Sequence, residues 1–208
     1  MKNLILFGSG GHALSCLDVI DSTKKFKIKG LISENKNSKN LLDIPIIGNN
    51  SNFHLLKKKY NYAFIGVGMI KNNKTRLKIY SSAKKYGFIF PSIISKYSYV
   101  GKSASIGEGT IIMHNCVLNA DSIIGKNCII NTSSIIEHNA KIGDNSHIAP
   151  GAIVLGHVKI GSNTFIGSGA VLKNGITIGS NCVIQAGSFI KKDLKSGTTI
   201  KKWLIKIQ

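Results

Sequence analysis

Every sixth residue from Ile94 to Ile190 is aliphatic, and this repeat constrains the fold more than any other feature of the sequence. The series has 17 members without an interruption, which chance does not produce. A small side chain lies two residues before most members, and glycine often follows them. Six-residue periods are typical of parallel β-helices, in which three segments form one triangular coil of about 18 residues. The pattern therefore predicts a solenoid with aliphatic side chains stacked in its interior.

The cysteines fit the same repeat. Cys116, Cys128 and Cys182 fall at the small inward position, and Cys16 lies in an apolar context nearer the N-terminus. No two of them form a Cys-x-x-Cys pair, which argues against a zinc ribbon or a disulfide framework. We therefore expect packed thiols and no nucleophile among them.

Residues 1–90 have a different rhythm, in which apolar runs alternate with helical patterns. The runs NLILFG, FKIKGLIS and YAFIGVG predict three buried strands, and the segments between and after them show helical spacing. Strands that alternate with helices indicate a parallel sheet. The sequence thus predicts a small Rossmann-like α/β domain over residues 1–90 and a β-helix over residues 91–208.

A glycine-rich loop follows the first predicted strand. Gly8, Gly10 and Ala13 fit the pattern G-x-G-x-x-G/A, and Ser33 and Glu34 lie about 20 residues further on, after the second strand. Three strands make only half of a dinucleotide-binding fold, so a mononucleotide-sized ligand fits better. The alternative is a cap on the β-helix that binds no ligand.

The net charge of +19 favours anionic ligands, but the lysines are scattered. The sequence has no recognised nucleic-acid-binding module and no clustered basic and aromatic patch, so we do not expect nucleic acid as a partner. The N-terminal apolar run is too short for a signal peptide, and no run approaches a membrane span. We therefore expect a soluble, cytoplasmic protein that does not bind membranes.

The loop GSGGHA together with the segment NTSSIIEHNAKIG resembles the NeuD/PglD-type bacterial sugar acyltransferases over essentially the whole chain. The resemblance implies a left-handed β-helix, a homotrimer and acetyl-CoA bound between neighbouring coils, without a metal. It implies N-acetylation of the 4-amino group of a nucleotide-linked, preferably UDP-linked, dideoxy amino sugar for surface glycans. The alternative within the same family is O-acetylation of sialic acid or a related nonulosonate.

The resemblance assigns the general base to His138, in the motif IEH. An imidazole suits this role because its ordinary pKa lies near the working pH. The residue after this histidine is often acidic in relatives, whereas here it is Asn139, which can orient the ring but cannot stabilise imidazolium as a carboxylate does. Glu137 is a second candidate for that supporting role. The sequence leaves open which of the two orients His138.

The remaining site residues also follow from family positions. Those predicted for the cofactor are His147, at the acetyl end, and Gly156, Gly167, Ser168 and Ala186, along the pantetheine arm. Those predicted for the nucleotide or sugar are Gly10, Gly11, His12, Ser33, Glu34 and Gly68. Relatives usually end in a G-x-P-A turn near the adenine, which this chain lacks, so Trp203 either stacks on the adenine or anchors the tail.

Three other interpretations compete with this one. Some hexapeptide solenoids bind catalytic zinc through a His-x4-His pair, but no two histidines here are five residues apart. A non-catalytic trimeric scaffold is disfavoured by the intact IEH motif. His157 lies one coil after His138 and is an alternative catalytic candidate, whereas His54 and His114 are expected to be ordinary surface residues.

Overall fold

The computed structural model describes residues 1–35, 37, 40–69 and 73–201. Its N-terminal part is a parallel four-stranded sheet with the order β3-β2-β1-β4. The strands are β1 (Lys2–Phe7), β2 (Phe26–Ile32), β3 (Ile46–Gly48) and β4 (Tyr62–Ile65). The helices are α1 (Gly11–Thr23), α2 (Phe53–Lys59), preceded by a 3-10 turn (Asn50–Asn52), and α3 (Lys74–Lys85).

This part confirms the predicted α/β class and adds one strand to it. The three strands and three helices lie where the apolar runs and helical spacing place them. The sequence analysis missed β3, which has only three residues and follows Pro45. The sheet therefore has four strands, not three, and β3 forms an edge beside β2.

The rest of the described chain is a left-handed parallel β-helix with three faces. Face 1 consists of β5 (Ile93–Ile94), β8 (Ile111–Ile112), β11 (Ile129–Ile130), β14 (His147–Ile148), β17 (Phe165–Ile166), β20 (Val183–Ile184) and β22 (Thr199–Ile200). Face 2 consists of β6 (Tyr99–Val100), β9 (Val117–Leu118), β12 (Ile135–Ile136), β15 (Ile153–Val154), β18 (Val171–Leu172) and β21 (Phe189–Ile190). Face 3 consists of β7 (Ser105–Ile106), β10 (Ile123–Ile124), β13 (Lys141–Ile142), β16 (Lys159–Ile160) and β19 (Thr177–Ile178).

The second residue of each two-residue strand points inward, and the predicted aliphatic series supplies it from β5 to β21. Burying one such side chain contributes about 1.5–3 kcal/mol, so the stacked column is the main source of stability. Pairing runs from each coil to the next, as in Ile130 with Ile148 and Ile148 with Ile166. The last coil is shorter, because Ile200 pairs with Ile184, 16 residues earlier instead of 18.

The small inward positions follow the prediction. Cys116, Cys128 and Cys182 are fully buried with free thiols, and burial raises the pKa of Cys128 to about 12. The corners are turned by residues with positive φ, which asparagine, aspartate and glycine tolerate best. These corner residues are mainly asparagines and glycines, together with Asp121, Ser133 and His157.

The N-terminal part packs on face 1 and shares its core. Leu4, Leu6 and Phe64 belong to the same apolar cluster as the inward residues of the β-helix. The outward side chains of β8 and β11, Ile111 and Ile129, are fully buried because the N-terminal part covers them. Within the described ranges, no helix is long and apolar enough to cross a membrane.

Candidate active site

His138 lies on the β-helix edge between faces 2 and 3, directly after β12, and its side chain is exposed as predicted. Face 1, which carries the N-terminal part, is on the opposite side of the triangular section. His138 therefore lies on the edge far from the N-terminal part of its own chain.

The orienting partner of this ring is Asn139. His138 Nδ1 lies 3.0 Å from Asn139 Oδ1, and since an amide oxygen only accepts, Nδ1–H is the donor. Glu137 is engaged elsewhere, because its Oε2 accepts from Asn119 Nδ2 at 2.8 Å. The bond to Asn139 assigns the proton to Nδ1 and leaves the Nε2 lone pair free to accept a proton. In the described part of the chain, Nε2 has no hydrogen-bond partner.

Gly156 lies one coil further on and forms the floor under this imidazole. A Cβ at position 156 would stand 2.7 Å from both Cε1 and Nε2 of His138, and 2.9 Å from Asn174 Oδ1. No other residue type leaves this volume empty. The ring of His157, next in sequence, meets that of His138 edge to face, with centroids 5.1 Å apart at an interplanar angle of 84°.

His147 occupies a very different environment, the junction between face 1 and the N-terminal part, where its exposed fraction is only 6 %. Its Nδ1–H donates to Met69 O at 2.5 Å, and its Nε2 accepts from Asn131 Nδ2 at 3.1 Å. Burial lowers the pKa of His147 to about 4, so the ring is neutral at physiological pH. Its predicted contact with the acetyl group requires one of these bonds to open, and it stays a prediction.

Arg76, at the same junction, was missed by the sequence analysis. Its guanidinium is buried and donates to Ile65 O at 2.7 Å and Val67 O at 2.9 Å, and Nε lies 3.4 Å from Asn127 O. It thus joins the end of β4 to a corner of the β-helix. One feature of the sequence could have identified this residue: Arg76 is the only arginine among the 28 lysines and arginines of the chain. The planar guanidinium of arginine holds its N–H donors in a rigid arrangement, so it binds several carbonyl oxygens at once better than the ammonium of lysine does.

His114 is also part of the contact between the two parts, contrary to its expected role as an ordinary surface residue. Its Nδ1 lies 2.6 Å from Ser95 Oγ and its Nε2 lies 2.9 Å from Asp18 Oδ2, on α1. Ser95 is 2 % exposed, so this arrangement fixes α1 on the first coil and offers no accessible nucleophile. His54 is exposed on α2, as expected.

The glycine-rich loop opens α1 and leaves its first turn accessible. Gly8 has a φ of +117°, and a Cβ there would lie 3.1 Å from the carbonyl carbon of Gly66, so chain packing explains this glycine. Gly10 and Gly11 are exposed, and a Cβ on either has no heavy atom within 4 Å. Packing within the chain therefore does not explain these two glycines, and their contact with the nucleotide or sugar stays a prediction.

His12 lies beneath this loop, beside Gly68, whose added Cβ would lie 3.4 Å from the His12 Cβ. Burial lowers the pKa of His12 to about 3, and the charges of Arg76 and His147 act in the same direction. His12 is therefore neutral at pH 7 and available as a hydrogen-bonding group. The structure thus places His12 and Gly68, predicted for the nucleotide or sugar, at the same junction as His147, predicted for the acetyl end of the cofactor.

Ser33 and Glu34 follow β2 at the carboxyl edge of the sheet. Ser9 Oγ lies 2.9 Å from Ser33 Oγ, which connects this edge to the glycine-rich loop. Glu34 is exposed, and its Oε1 accepts from Asn50 N at 2.6 Å. That bond uses one of the lone pairs of the carboxylate and leaves others for a ligand hydroxyl.

The residues predicted for the pantetheine arm divide into two groups. Gly167 is buried, and a Cβ there would lie 2.4 Å from Ala186 N in the next coil, so coil packing requires glycine. Ser168 and Ala186 are exposed, and Ala186 lines an apolar groove of about 610 Å³ together with Phe165 and Thr199. Trp203, predicted to meet the adenine or anchor the tail, lies outside the described residues.

Across the described residues, no three His, Cys, Asp or Glu side chains converge as a metal site requires. Apart from His54 on α2, the histidines are divided between the outer edge, with His138 and His157, and the junction, with His12, His114 and His147. The outer edge presents an exposed imidazole whose Nδ1 is bonded to Asn139.

Two family models match the chain. Residues 3–83 match the PglD N-terminal domain, and residues 121–156 and 157–192 match the bacterial transferase hexapeptide repeats. No curated protein matches the chain by sequence. The two models cover both parts of the structure.

Solved structures match over nearly the full length. Perosamine N-acetyltransferase (PerB) from Caulobacter crescentus, solved with CoA and GDP-perosamine, has a TM-score of 0.89 at 26% identity, covering 96% of this chain and 93% of that one. The acetyltransferase domain of PglB from Neisseria gonorrhoeae, solved with acetyl coenzyme A, has a TM-score of 0.88 at 28% identity and 95% coverage of both chains. WeeI from Acinetobacter baumannii AYE shares the fold, with a TM-score of 0.75 at 21% identity and 96% coverage of both. The PglD N-terminal domain and the hexapeptide repeats confirm the resemblance to the NeuD/PglD-type sugar acyltransferases, and PerB and the PglB domain are structural neighbours of that type.

Proposed function

We propose that the protein transfers an acetyl group from acetyl-CoA to the amino group of a nucleotide-linked amino sugar. The observation that carries the proposal is the exposed His138 ring, whose Nδ1–H is bonded to Asn139 and whose Nε2 is free. The relatives support the chemistry, since PerB was solved with CoA and GDP-perosamine and the PglB domain with acetyl coenzyme A. The PerB structures also include variants in which one of its histidines is replaced by asparagine or alanine.

The reaction is a direct transfer in which His138 handles one proton. The amine of the sugar attacks the thioester carbonyl carbon, a C–N bond forms, and the C–S bond to CoA breaks. His138 Nε2 takes the proton that the amine loses, and imidazolium then returns a proton to the leaving thiolate. No acyl-enzyme forms, in agreement with the buried cysteines, whose thiols are protonated because burial raises the pKa of Cys16 and Cys128 to about 12.

The nucleotide-sugar binds, in this proposal, to the N-terminal domain at the exposed loop Gly10–Gly11. The first N–H groups of α1 are oriented towards that opening, and a helix N-terminus of this kind suits the diphosphate of a nucleotide-sugar. Neutral His12 and the edge formed by Ser33 and Glu34 supply hydrogen-bonding groups for the sugar and ribose hydroxyls. Acetyl-CoA lies along the coils beside Ser168 and Ala186, near the apolar groove on face 1.

In this proposal a complete site needs a second copy of the chain, as the homotrimer implied by the resemblance would supply. His138 is on the edge opposite face 1, so the nucleotide-binding loop near it belongs to a neighbouring copy. The outward side chains of face 2 form an apolar column beside that edge, and its ends, Tyr99 and Phe189, are 62% and 56% exposed. The column consists of Tyr99, Val117, Ile135, Ile153, Val171 and Phe189. Face 3 presents Ser105, Ile123, Lys141, Lys159 and Thr177, of which only Ile123 is apolar, so face 2 is the face that suits self-association.

The finer part of the proposal is a UDP carrier and the 4-amino group of a dideoxy sugar. It is tested by incubating the protein and acetyl-CoA with UDP-, GDP- and dTDP-linked amino sugars and with free sialic acids, while released thiol is followed. We expect thiol release with a nucleotide-linked amine and an N-acetyl product by mass spectrometry. Thiol release only with sialic acid would establish O-transfer and contradict the proposal. Thiol release only with GDP- or dTDP-linked sugars would show that the nucleotide carrier is not UDP.

A further inference from the structure

The coil corner that follows His138 along the same edge is turned by another histidine, and nothing in the β-helix requires one there. His157 has a φ of +59° and its side chain is exposed. The same corner is turned by Asp121, Asn139 and Gly175 in three other coils, with φ between 57° and 77°. Glycine, asparagine, aspartate and histidine all occur in this conformation, so the φ value does not select histidine over the residues that turn the other coils. The choice of histidine therefore calls for an explanation other than turning the corner.

The ring of His157 meets the ring of the proposed base. The two centroids are 5.1 Å apart with an interplanar angle of 84°, which is the edge-to-face arrangement that aromatic rings prefer. The backbone fixes the relation of the two residues, because His157 N donates to His138 O at 3.0 Å. His157 is thus the aromatic side chain in contact with His138 among the described residues.

These contacts give the His138 imidazole three constraints. Asn139 holds Nδ1, Gly156 leaves room for the Cε1–Nε2 edge, and His157 borders the ring as a lateral wall. An exposed histidine otherwise rotates freely about χ1 and χ2, and misplacement of a catalytic group by about 1 Å costs on the order of 100-fold in rate. A lateral aromatic wall limits that rotation without using a ring nitrogen.

We propose that His157 is a positioning residue, whose ring holds the His138 imidazole with Nε2 presented to the amine. This inference rests on the proposed function of His138. It assigns to His157 an aromatic contact, and no proton transfer of its own. An aromatic ring without nitrogen atoms can therefore take over the positioning role of His157, whereas a small residue that suits the corner cannot.

The test compares His157→Asn, which suits the corner but lacks the ring, with His157→Phe, which keeps the ring but lacks the nitrogens. We expect His157→Asn to lower kcat about 10-fold with unchanged KM values, and His157→Phe to retain most of the wild-type kcat. Equal losses in both variants would show that a nitrogen is required and would overturn the proposal. A raised KM for the sugar with unchanged kcat would also overturn it, by making His157 a substrate contact.

A second readout separates this proposal from the proposed function and from folding. In protein labelled with [13C]histidine, the Cε1–H resonance of His138 is identified by its loss in His138→Gln. We expect the resonance to move in His157→Asn and to stay near its wild-type position in His157→Phe, with melting temperatures showing that both variants fold. An unmoved resonance in a folded His157→Asn overturns the positioning role, whether or not the wild type acetylates any sugar.

Discussion

At the scale of single residues, the site depends on what surrounds one imidazole. Asn139 Oδ1 fixes its tautomer and Gly156 leaves the space in which it lies. The choice of His138 as the proposed base follows from the resemblance carried by the IEH motif, but its orienting partner does not. Glu137 and Asn139 both flank His138 in sequence, and only the conformation of the corner directs one of them to Nδ1 and the other to Asn119.

Gly156→Ala tests the space under the ring. The new Cβ would lie 2.7 Å from Cε1 and Nε2 of His138, and the exposed ring moves more easily than the coil. We expect kcat to fall about 10- to 100-fold while the melting temperature stays within a few degrees of the wild type. The control is the double variant His138→Ala with Gly156→Ala, whose kcat we expect to equal that of His138→Ala alone. A wild-type kcat in the single variant would contradict this account.

Replacing Asn139 tests the orienting bond. Asn139→Gly keeps the left-handed corner but removes Oδ1, so we expect kcat to fall about 10-fold. Asn139→Asp supplies a carboxylate that stabilises imidazolium, so activity persists and the acidic limb of the kcat/KM profile moves to higher pH. Asp121→Gly makes the same backbone change one coil earlier, at a φ of 57°, and serves as the control. Full activity in Asn139→Gly would show that the bond has no role.

At the scale of elements, the junction between face 1 and the N-terminal domain contains two largely buried histidines, His12 and His147, and one buried cation, Arg76. Burial lowers the pKa of His147 to about 4 and that of His12 to about 3, beside Arg76. The unfolded chain binds protons at these histidines below about pH 6.5, and the folded chain does not. Stability is therefore lost as pH falls below about 6.5, down to about 4 for His147 and to about 3 for His12.

His147→Asn removes one of these bases but keeps an N–H for Met69 O. We expect the wild type to lose about 2 kcal/mol more unfolding free energy than this variant between pH 7.5 and pH 5. The measurement is urea unfolding at both pH values and one protein concentration. His54→Asn, on the exposed surface of α2, is the control and should behave as the wild type. An equal pH dependence in all three proteins would show that His147 is not a buried neutral base.

The elements that were predicted are those whose signal is local. A strand of the β-helix repeats every six residues, so its position and inward side chain follow from the sequence alone. β3 was missed because a three-residue strand after Pro45 has no period to detect. Arg76 and His114 were missed because their partners, such as Asn127 and Asp18, are 51 and 96 residues away in the chain. Sequence patterns do not show contacts at that separation.

At the scale of the whole molecule, the proposed site is completed by a second copy of the chain. The proposed base and the proposed nucleotide-binding loop lie on opposite sides of the β-helix, and an apolar column runs along face 2. Such a column is costly to expose, because burial of apolar surface contributes about 25 cal/mol per Å². We therefore propose that association through face 2 buries the column and brings a second N-terminal domain towards His138.

Ile153→Lys places a charge in the middle of the face 2 column, and we expect it to dissociate the assembly. Light scattering after size exclusion should show the monomer mass, and acetyl transfer should fall at least 100-fold because the site is incomplete. Thr177→Lys makes the same change on face 3 and should leave mass and activity unchanged. A fully active monomer would contradict the two-copy site.

The most direct measurement of the central claim compares His138→Ala with the wild type, using the best acceptor from the nucleotide-sugar panel. Acetyl-CoA binding is measured by calorimetry, and kcat/KM is measured by thiol release. We predict an unchanged affinity for acetyl-CoA and a kcat/KM lower by about 10²- to 10⁴-fold, the contribution of a general base. An unchanged kcat/KM would show that the imidazole on the outer edge does not carry the reaction.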